Sequence, residues 1–128
     1  MQSIEFILYV KDQQRSCNFY TTLLGKEPLL HVPGMTEFQL NEQCKLGLMP
    51  EEGIARIITP ALPHPALANG KPRCELYLYN ENPSAALETC LKAGATLISP
   101  VMPRDWGDKV GYCADPDGHV LALAEKAK

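Results

Sequence analysis

An α+β fold made of two copies of a βαβββ unit is predicted for this 128-residue chain, and three features of the sequence predict it. A strand-like run, a capped helical stripe and three more strand-like runs follow one another in residues 1–49. The same order returns in residues 74–128. Between them, residues 50–73 carry Pro50, Pro60, Pro63, Pro65 and Pro72 of the chain's 11 prolines. A length of 128 residues suits one domain. The two copies are therefore expected to form a single domain, residues 1–128, as a cupped mixed sheet with helices on its outer face and any chemistry in the cleft between the copies.

Ile4 to Val10 (IEFILYV) is rich in β-branched and aromatic residues and reads as a strand. Asp12 offers a helix N-cap. Cys17, Tyr20 and Leu24 follow at helical spacing with Leu23 beside them, and Gly25 supplies the stop. Leu29 to Val32, Thr36 to Leu40 and Cys44 to Met49 are short strand candidates, parted by turns at Pro33-Gly34 and Asn41-Glu42-Gln43. The connection from Pro50 to Arg73 is long for a compact domain, as lids, binding loops and flexible linkers are. Within it, Ile54 to Ile58 is expected to form a short strand or to pack against a partner.

The second copy opens with a strand at Cys74 to Tyr79 (CELYLY). Asn82 is the next N-cap, with Pro83 at the first helical position, where its missing N–H is not needed. Leu87, Cys90 and Leu91 form the helical stripe and Gly94 ends it. Thr96 to Ser99, Lys109 to Ala114 and His119 to Ala124 are strand candidates, the last two joined by a turn at Asp115-Pro116-Asp117-Gly118. With an offset of 70, Glu5 falls on Glu75, Ile7 on Tyr77, Tyr9 on Tyr79, Asp12 on Asn82, Cys17 on Leu87 and Tyr20 on Cys90. The stop glycine arrives one residue early in the second copy. The repeat is one of pattern more than of letters.

Composition narrows the function. Hydrophobic residues are 45% and charged residues 21%, which marks an ordinary globular chain. The net charge of −3 comes with no basic run beyond Lys126 and Lys128, so a nucleic-acid partner, which needs a basic face, is not expected. No apolar stretch approaches the ~20 residues of a membrane span, and no leader-like segment precedes the first strand. A cytoplasmic protein is expected. Cys17, Cys44, Cys74, Cys90 and Cys113 are odd in number and lack CxxC spacing, so they read as small buried hydrophobes in a reducing compartment.

Strand side chains alternate between faces. Phe6, Leu8 and Val10 are expected to pack under the first helix, leaving Glu5, Ile7 and Tyr9 on the other face. Leu76 and Leu78 do the same in the second copy, leaving Glu75, Tyr77 and Tyr79. If the copies pair their first strands about a pseudo-twofold axis, Glu5 and Glu75 share one concave wall. The alternative is a plain solvated face, which sheets often have.

Two segments resemble a known family. Phe19-Tyr20-Thr21-Thr22-Leu23-Leu24-Gly25 resembles the FYxxxLG signature of the vicinal oxygen chelate superfamily, which holds glyoxalases, bleomycin-resistance proteins and extradiol dioxygenases. Trp106-Gly107, then Tyr112, then Asp115-Pro116-Asp117-Gly118 resembles its WGxxxxxxxDPDG segment. The resemblance spans essentially the whole chain. It implies the two-module fold but not one function, because this fold hosts lyases, dioxygenases, epimerases and drug binders. Metal-dependent members take ligands from four strands. Those places fall here on Glu5, Gly47, Glu75 and Ala122, of which only Glu5 and Glu75 carry a ligand atom. The resemblance thus implies no cofactor, or at most a weakly held divalent ion on Glu5 and Glu75, of which magnesium with its retained waters fits best. Zinc, nickel and iron call for more ligands. His31, His64 and His119 stand at no ligand position and read as structural or surface residues.

Two functions follow. In the first, the protein is a metal-free, bleomycin-resistance-like binder of a small aromatic or cationic molecule. Ile7, Tyr9, Tyr77, Tyr79 and Trp106 would form its surface, with Glu5 and Glu75 attracting the charge. Trp106 would cap the pocket or else pack at an edge, and Arg104 and Asp105 beside it are expected to be solvated. In the second, the protein is a glyoxalase-like lyase, isomerase or dioxygenase, with Glu5 and Glu75 as catalytic acid–base residues or metal ligands. A partner-binding protein with a vestigial cleft is a third option without a motif. Phosphoryl transfer, dinucleotide binding and serine hydrolysis also lack motifs. Short relatives imply a homodimer.

Overall fold

In a computed structural model, which describes residues 2–128, the elements of the first half grow from the local signals just given. β1 (Ile4–Val10) leads to α1 (Gln13–Leu24), whose N-cap Asp12 accepts the Arg15 amide at 3.0 Å and whose end is turned by Gly25 at φ 66°. β2 (Leu30–Val32), β3 (Met35–Asn41) and β4 (Cys44–Pro50) follow. The sheet order is β1-β4-β3-β2, with β1 parallel to β4 and the other pairs antiparallel.

The second half repeats this plan. β5 (Glu75–Tyr79) precedes α3 (Pro83–Lys92), capped by Asn82 accepting the Ala85 amide at 3.1 Å. β6 (Thr96–Pro103), β7 (Lys109–Ala114) and β8 (Val120–Glu125) complete a sheet of order β5-β8-β7-β6, with β5 parallel to β8. The α+β class and the doubled βαβββ order are those the sequence predicts. The chain divides into two compact units, Met1–Asn69 and Gly70–Lys128.

The segment between the copies differs from expectation. Ile54 to Ile58 is not a strand but part of α2 (Glu51–Ile58), and Pro65–Ala68 forms a short 3-10 turn, both within the first unit. The physical reason is visible in the letters. Glu51 and Glu52 place negative charge in the first helical turn, and Ile54, Ala55 and Ile58 recur at helical spacing. Ile54 and Ala55 are buried.

In each unit a helix covers one sheet face. Val10, Phe38, Leu46 and Leu48 are fully buried or nearly so, as are Cys17, Phe19 and Tyr20 of α1. Phe6 departs from its expected place under the helix and is 57% exposed. α1 lies over β3 and β4, and β1 is the edge strand, so the start of β1 is left uncovered. In the second unit Leu87 and Cys90 of α3 pack over buried Cys113, Leu121 and Leu123. Gly111 is required there: a Cβ would stand 2.7 Å from Val101 Cγ2 and 3.0 Å from Leu87 Cδ2. Cys17, Cys90 and Cys113 are buried as expected, but Cys44 is half-buried and Cys74, one residue before β5, is exposed.

Candidate functional site

Residues paired across neighbouring strands point to the same side of a sheet. The register of the first sheet therefore gives its helix-free face: Glu5, Ile7 and Tyr9 from β1, Lys45, Gly47 and Met49 from β4, and Glu37 and Gln39 from β3. Ile7 and Tyr9 are exposed on it, in keeping with their expected placement.

Glu5 does not simply project to solvent. Its Oε2 lies 2.5 Å from where a Cβ on Gly47 would stand, and Ile7 Cγ1 lies 3.1 Å from the same point. Gly47 is thus a notch that the Glu5 carboxyl fills. Glu5 is paired with Lys45, two residues before Gly47, so its side chain leans toward β3, where Glu37 stands opposite Gly47. The Glu37 carboxyl acts on that of Glu5 from across the strands. Glu5 Oε2 is buried, and no donor among the described residues reaches it. Burial first, then Glu37, pushes the Glu5 carboxyl above its ordinary value, while Lys45 pulls it down. Lys45 Nζ sits 3.6 Å from Glu37 Oε1. Sequence reading missed Glu37 and Lys45. Their alternation along β3 and β4 places them on the Glu5 face, but only the pairing register shows that they meet it.

The second unit presents Glu75, Tyr77 and Tyr79 from β5, Val120, Ala122 and Ala124 from β8, and Val110, Tyr112 and Ala114 from β7. Here the face is packed. Val110, Ala122 and Ala124 are fully buried, with Tyr77 and Tyr112 against them. The Tyr77 and Tyr79 rings meet edge to face, with centroids 5.2 Å apart. Tyr77 donates its hydroxyl to Asp108 Oδ2 at 2.6 Å and accepts the Trp106 indole N–H at 2.9 Å. Asp108 Oδ1 accepts the Ala127 amide at 2.9 Å, and Asp108 is only 7% exposed. The Tyr77 hydrogen bond, helped by that amide, holds the Asp108 carboxyl below its ordinary range. Burial and then the Asp108 contact raise the Tyr77 phenol. The network therefore contains a carboxylate and a neutral phenol.

The outer parts of this aromatic group face solvent: Tyr79 and Trp106 are each 58% exposed. Two of its rings already carry cations. Lys126 Nζ lies 5.7 Å from the Tyr79 centroid and Arg104 lies 5.1 Å from that of Tyr112. Arg104 is not solvated as expected. It donates to the Val110 and Pro100 carbonyls and to Ser99 Oγ, tying the β6–β7 connection to its own strands. Beside Tyr79 a shallow depression is lined by Asn80, Glu81, Glu125, Lys126 and Lys128. Glu75 is exposed at the start of β5, outside the aromatic network. Asp108 was missed in the sequence, since a lone aspartate before a strand carries no local signal.

The four places where relatives hold a metal can be tested against these residues. The carboxyl of Glu5 occupies the space above Gly47. Ala122 is fully buried and registered opposite both Tyr77 and Tyr112, whose rings pack on that cluster. Two positions thus lack a donor atom, and protein atoms fill the space beside each. The donor set does not fit a four-ligand metal centre.

The histidines have structural partners. His31 bonds Thr36 Oγ1 at 2.7 Å and Gln14 Oε1 at 3.1 Å, and His64 caps the 3-10 turn and pairs with Glu52 at 3.0 Å. His119 Nδ1 lies 2.9 Å from Asp115 Oδ2, while Asp115 Oδ1 accepts the amides of Asp117 and His119. The Asp115, Asp117 and His119 side chains lie close enough for a metal, but both Asp115 oxygens are engaged in the turn itself.

The family model described as "Glyoxalase/Bleomycin resistance protein/Dioxygenase superfamily" matches residues 3–123. An uncharacterized protein of Mycobacterium bovis is 24% identical over 124 residues, covering 94% of this chain and 81% of its own. A crystal structure of a glyoxalase-related enzyme from Fulvimarina pelagi superposes with a TM-score of 0.83 at 23% identity, covering 98% of this chain and 89% of that one. One of a glyoxalase/bleomycin resistance protein/dioxygenase from Nocardioides gives 0.75 at 22% identity, covering 100% and 84%. At these identities the structures speak for the fold alone.

Proposed function

The chain belongs to the glyoxalase/bleomycin resistance protein/dioxygenase superfamily, and from that premise we propose that it is a metal-free, bleomycin-resistance-like binder of a small aromatic cation. One observation carries the reading. The second unit presents an exposed tyrosine–tryptophan group, fixed by a buried carboxylate, whose rings already attract the cations of Lys126 and Arg104. A ring face that holds a lysine ammonium has the electrostatics to hold a ligand ammonium. Glu81 and Glu125 beside Tyr79 add negative charge. The exposed Ile7 and Tyr9 of the first unit are further candidate contacts.

We further propose a cytosolic homodimer as its working state. Five cysteines without a disulfide support a reducing compartment. The exposed Phe6 and Ile4 of edge strand β1 suit a protein contact, which sedimentation would test. Among the described residues no helix is long and apolar enough to cross a membrane.

Trp106 is the chain's one tryptophan, so its emission reports on this site alone. Titration with benzyltrimethylammonium should change that emission saturably, and the neutral isostere neopentylbenzene should do so more weakly. Equal response to both, or none to either, overturns the reading. The enzyme alternative, with Glu5 and Glu75 as acid–base residues or metal ligands, would draw on the Glu5 carboxyl, which burial and then Glu37 raise above its ordinary value.

A further inference from the structure

We propose that the ligand of the second unit is an aromatic zwitterion, whose ammonium takes the Tyr79 ring and whose carboxylate takes Lys126. The inference rests on the cation-binding reading of the tyrosine–tryptophan group, and it names the class of molecule that group would hold.

The topology builds the place. β5 and β8 are parallel, so both chains leave the sheet at the same end. Their pairing runs one step past Tyr79, where the Asn80 amide donates to the Ala124 carbonyl at 2.7 Å. Beyond that step Glu81, Glu125, Lys126 and Lys128 line a depression of about 480 Å³ beside the Tyr79 ring. Small-molecule sites commonly measure roughly 300–1,000 Å³.

Two parts of this place are held in position. The Tyr79 ring stands edge to face against Tyr77, which hydrogen bonds to Asp108 and Trp106 fix in turn. The backbone around Lys126 is pinned on both sides, by the end of β8 at Glu125 and by the Ala127 amide on Asp108 Oδ1 at 2.9 Å. From that backbone Lys126 reaches over the ring, its Nζ 5.7 Å from the centroid.

Charge selects the ligand. Glu81 and Glu125 stand against Lys126 and Lys128, so the side chains lining the depression sum to zero. A bare cation gains no net attraction there, and on taking the ring it leaves the displaced Lys126 ammonium without a partner. A bare anion is repelled by the negative face of the ring. An aromatic zwitterion meets both signs. Its ammonium replaces that of Lys126 on Tyr79, beside the two glutamates, and its carboxylate pairs with the lysine it displaced. The flexible four-carbon stem of lysine allows that swing.

The test titrates the full chain with benzyltrimethylammonium and with N-benzyl-N,N-dimethylglycine, the same cation bearing one carboxylate, and reads each Kd from amide and indole NMR shifts. The native protein should bind the zwitterion about two- to fivefold tighter, the worth of one exposed ion pair. Lys126→Gln should invert the order, weakening the zwitterion and strengthening the bare cation. Circular dichroism would establish that the variant folds. Equal affinities in the native protein, a tighter bare cation, or a zwitterion preference that survives Lys126→Gln would each overturn the proposal. Saturable shifts with the bare cation and no gain from the carboxylate would remove the zwitterion and leave the cation site standing, whereas no shifts with either probe would remove both.

Discussion

Gly47→Ala probes the notch directly. The new Cβ would stand 2.5 Å from Glu5 Oε2 and 3.1 Å from Ile7 Cγ1. Ordinary contact begins near 3.4 Å, so the carboxyl must retreat by about 0.9 Å. It can do so, because it is the free end of a flexible side chain, but it leaves its buried seat. Overpacking of this kind costs about 1–3 kcal/mol. Replacing glycine in a strand returns about 0.5–1 kcal/mol through the unfolded chain. The net expectation is a loss of about 1 kcal/mol, below the full overpacking cost because the obstacle is mobile. The assay is urea unfolding followed by circular dichroism in two backgrounds, native and Glu5→Ala. With Glu5 truncated, the methyl has only Ile7 to meet, and Gly47→Ala should become neutral or stabilising. A coupling of about 1 kcal/mol between the two sites is expected. The same loss in both backgrounds would refute the notch.

Five more expectations can be checked with standard variants. Asp108→Asn should loosen the Tyr77–Trp106 network, lowering the thermal midpoint and red-shifting Trp106 emission; unchanged emission would mean the network does not hold the indole. The Asp108 carboxyl is depressed by folding, so its stabilisation is present above its ordinary 3.8 and is lost as pH falls below it, a dependence that Asp108→Asn should remove from acid unfolding curves. Glu5 runs the other way: its carboxyl is raised by folding, so its stabilisation is full below 4.5 and fades as pH rises through the folded value, and Glu5→Gln should flatten that decline. Lys126→Gln should strengthen benzyltrimethylammonium binding about two- to fivefold by removing the ammonium that competes for Tyr79, and a weaker affinity would count against a cation on that ring. Gly111→Ala should cost about 1–3 kcal/mol in thermal or urea unfolding, because Val101 and the backbone behind it cannot yield as freely as a carboxyl can.

Local signals were the legible part of this chain. Asp12, Asn82, Gly25 and the Asp115–Gly118 turn act through neighbours a few residues away, and each does what its letters indicate. Strand alternation correctly put Glu5, Ile7 and Tyr9 on one face and Glu75, Tyr77 and Tyr79 on another, because the period of two needs no partner to be read. α2 was hidden by the prolines around it, although Glu51, Glu52 and the Ile54–Ile58 spacing announce a helix. Phe6 was misplaced because edge position depends on strand order, which a single strand does not encode. The contacts Glu5–Gly47, Tyr77–Asp108 and Arg104–Tyr112 are set by register across strands or by a loop's return, and no spacing along the chain marks them.

We propose that this chain binds an aromatic cation at Tyr77, Tyr79 and Trp106 without a metal. It is tested most directly by amide and indole NMR shifts of chelator-treated protein titrated with benzyltrimethylammonium. Saturable shifts are expected at the Trp106 indole N–H and around Tyr77 and Tyr79 with no divalent ion present. Shifts that appear only after a divalent metal is added, or that bypass these residues, would contradict it.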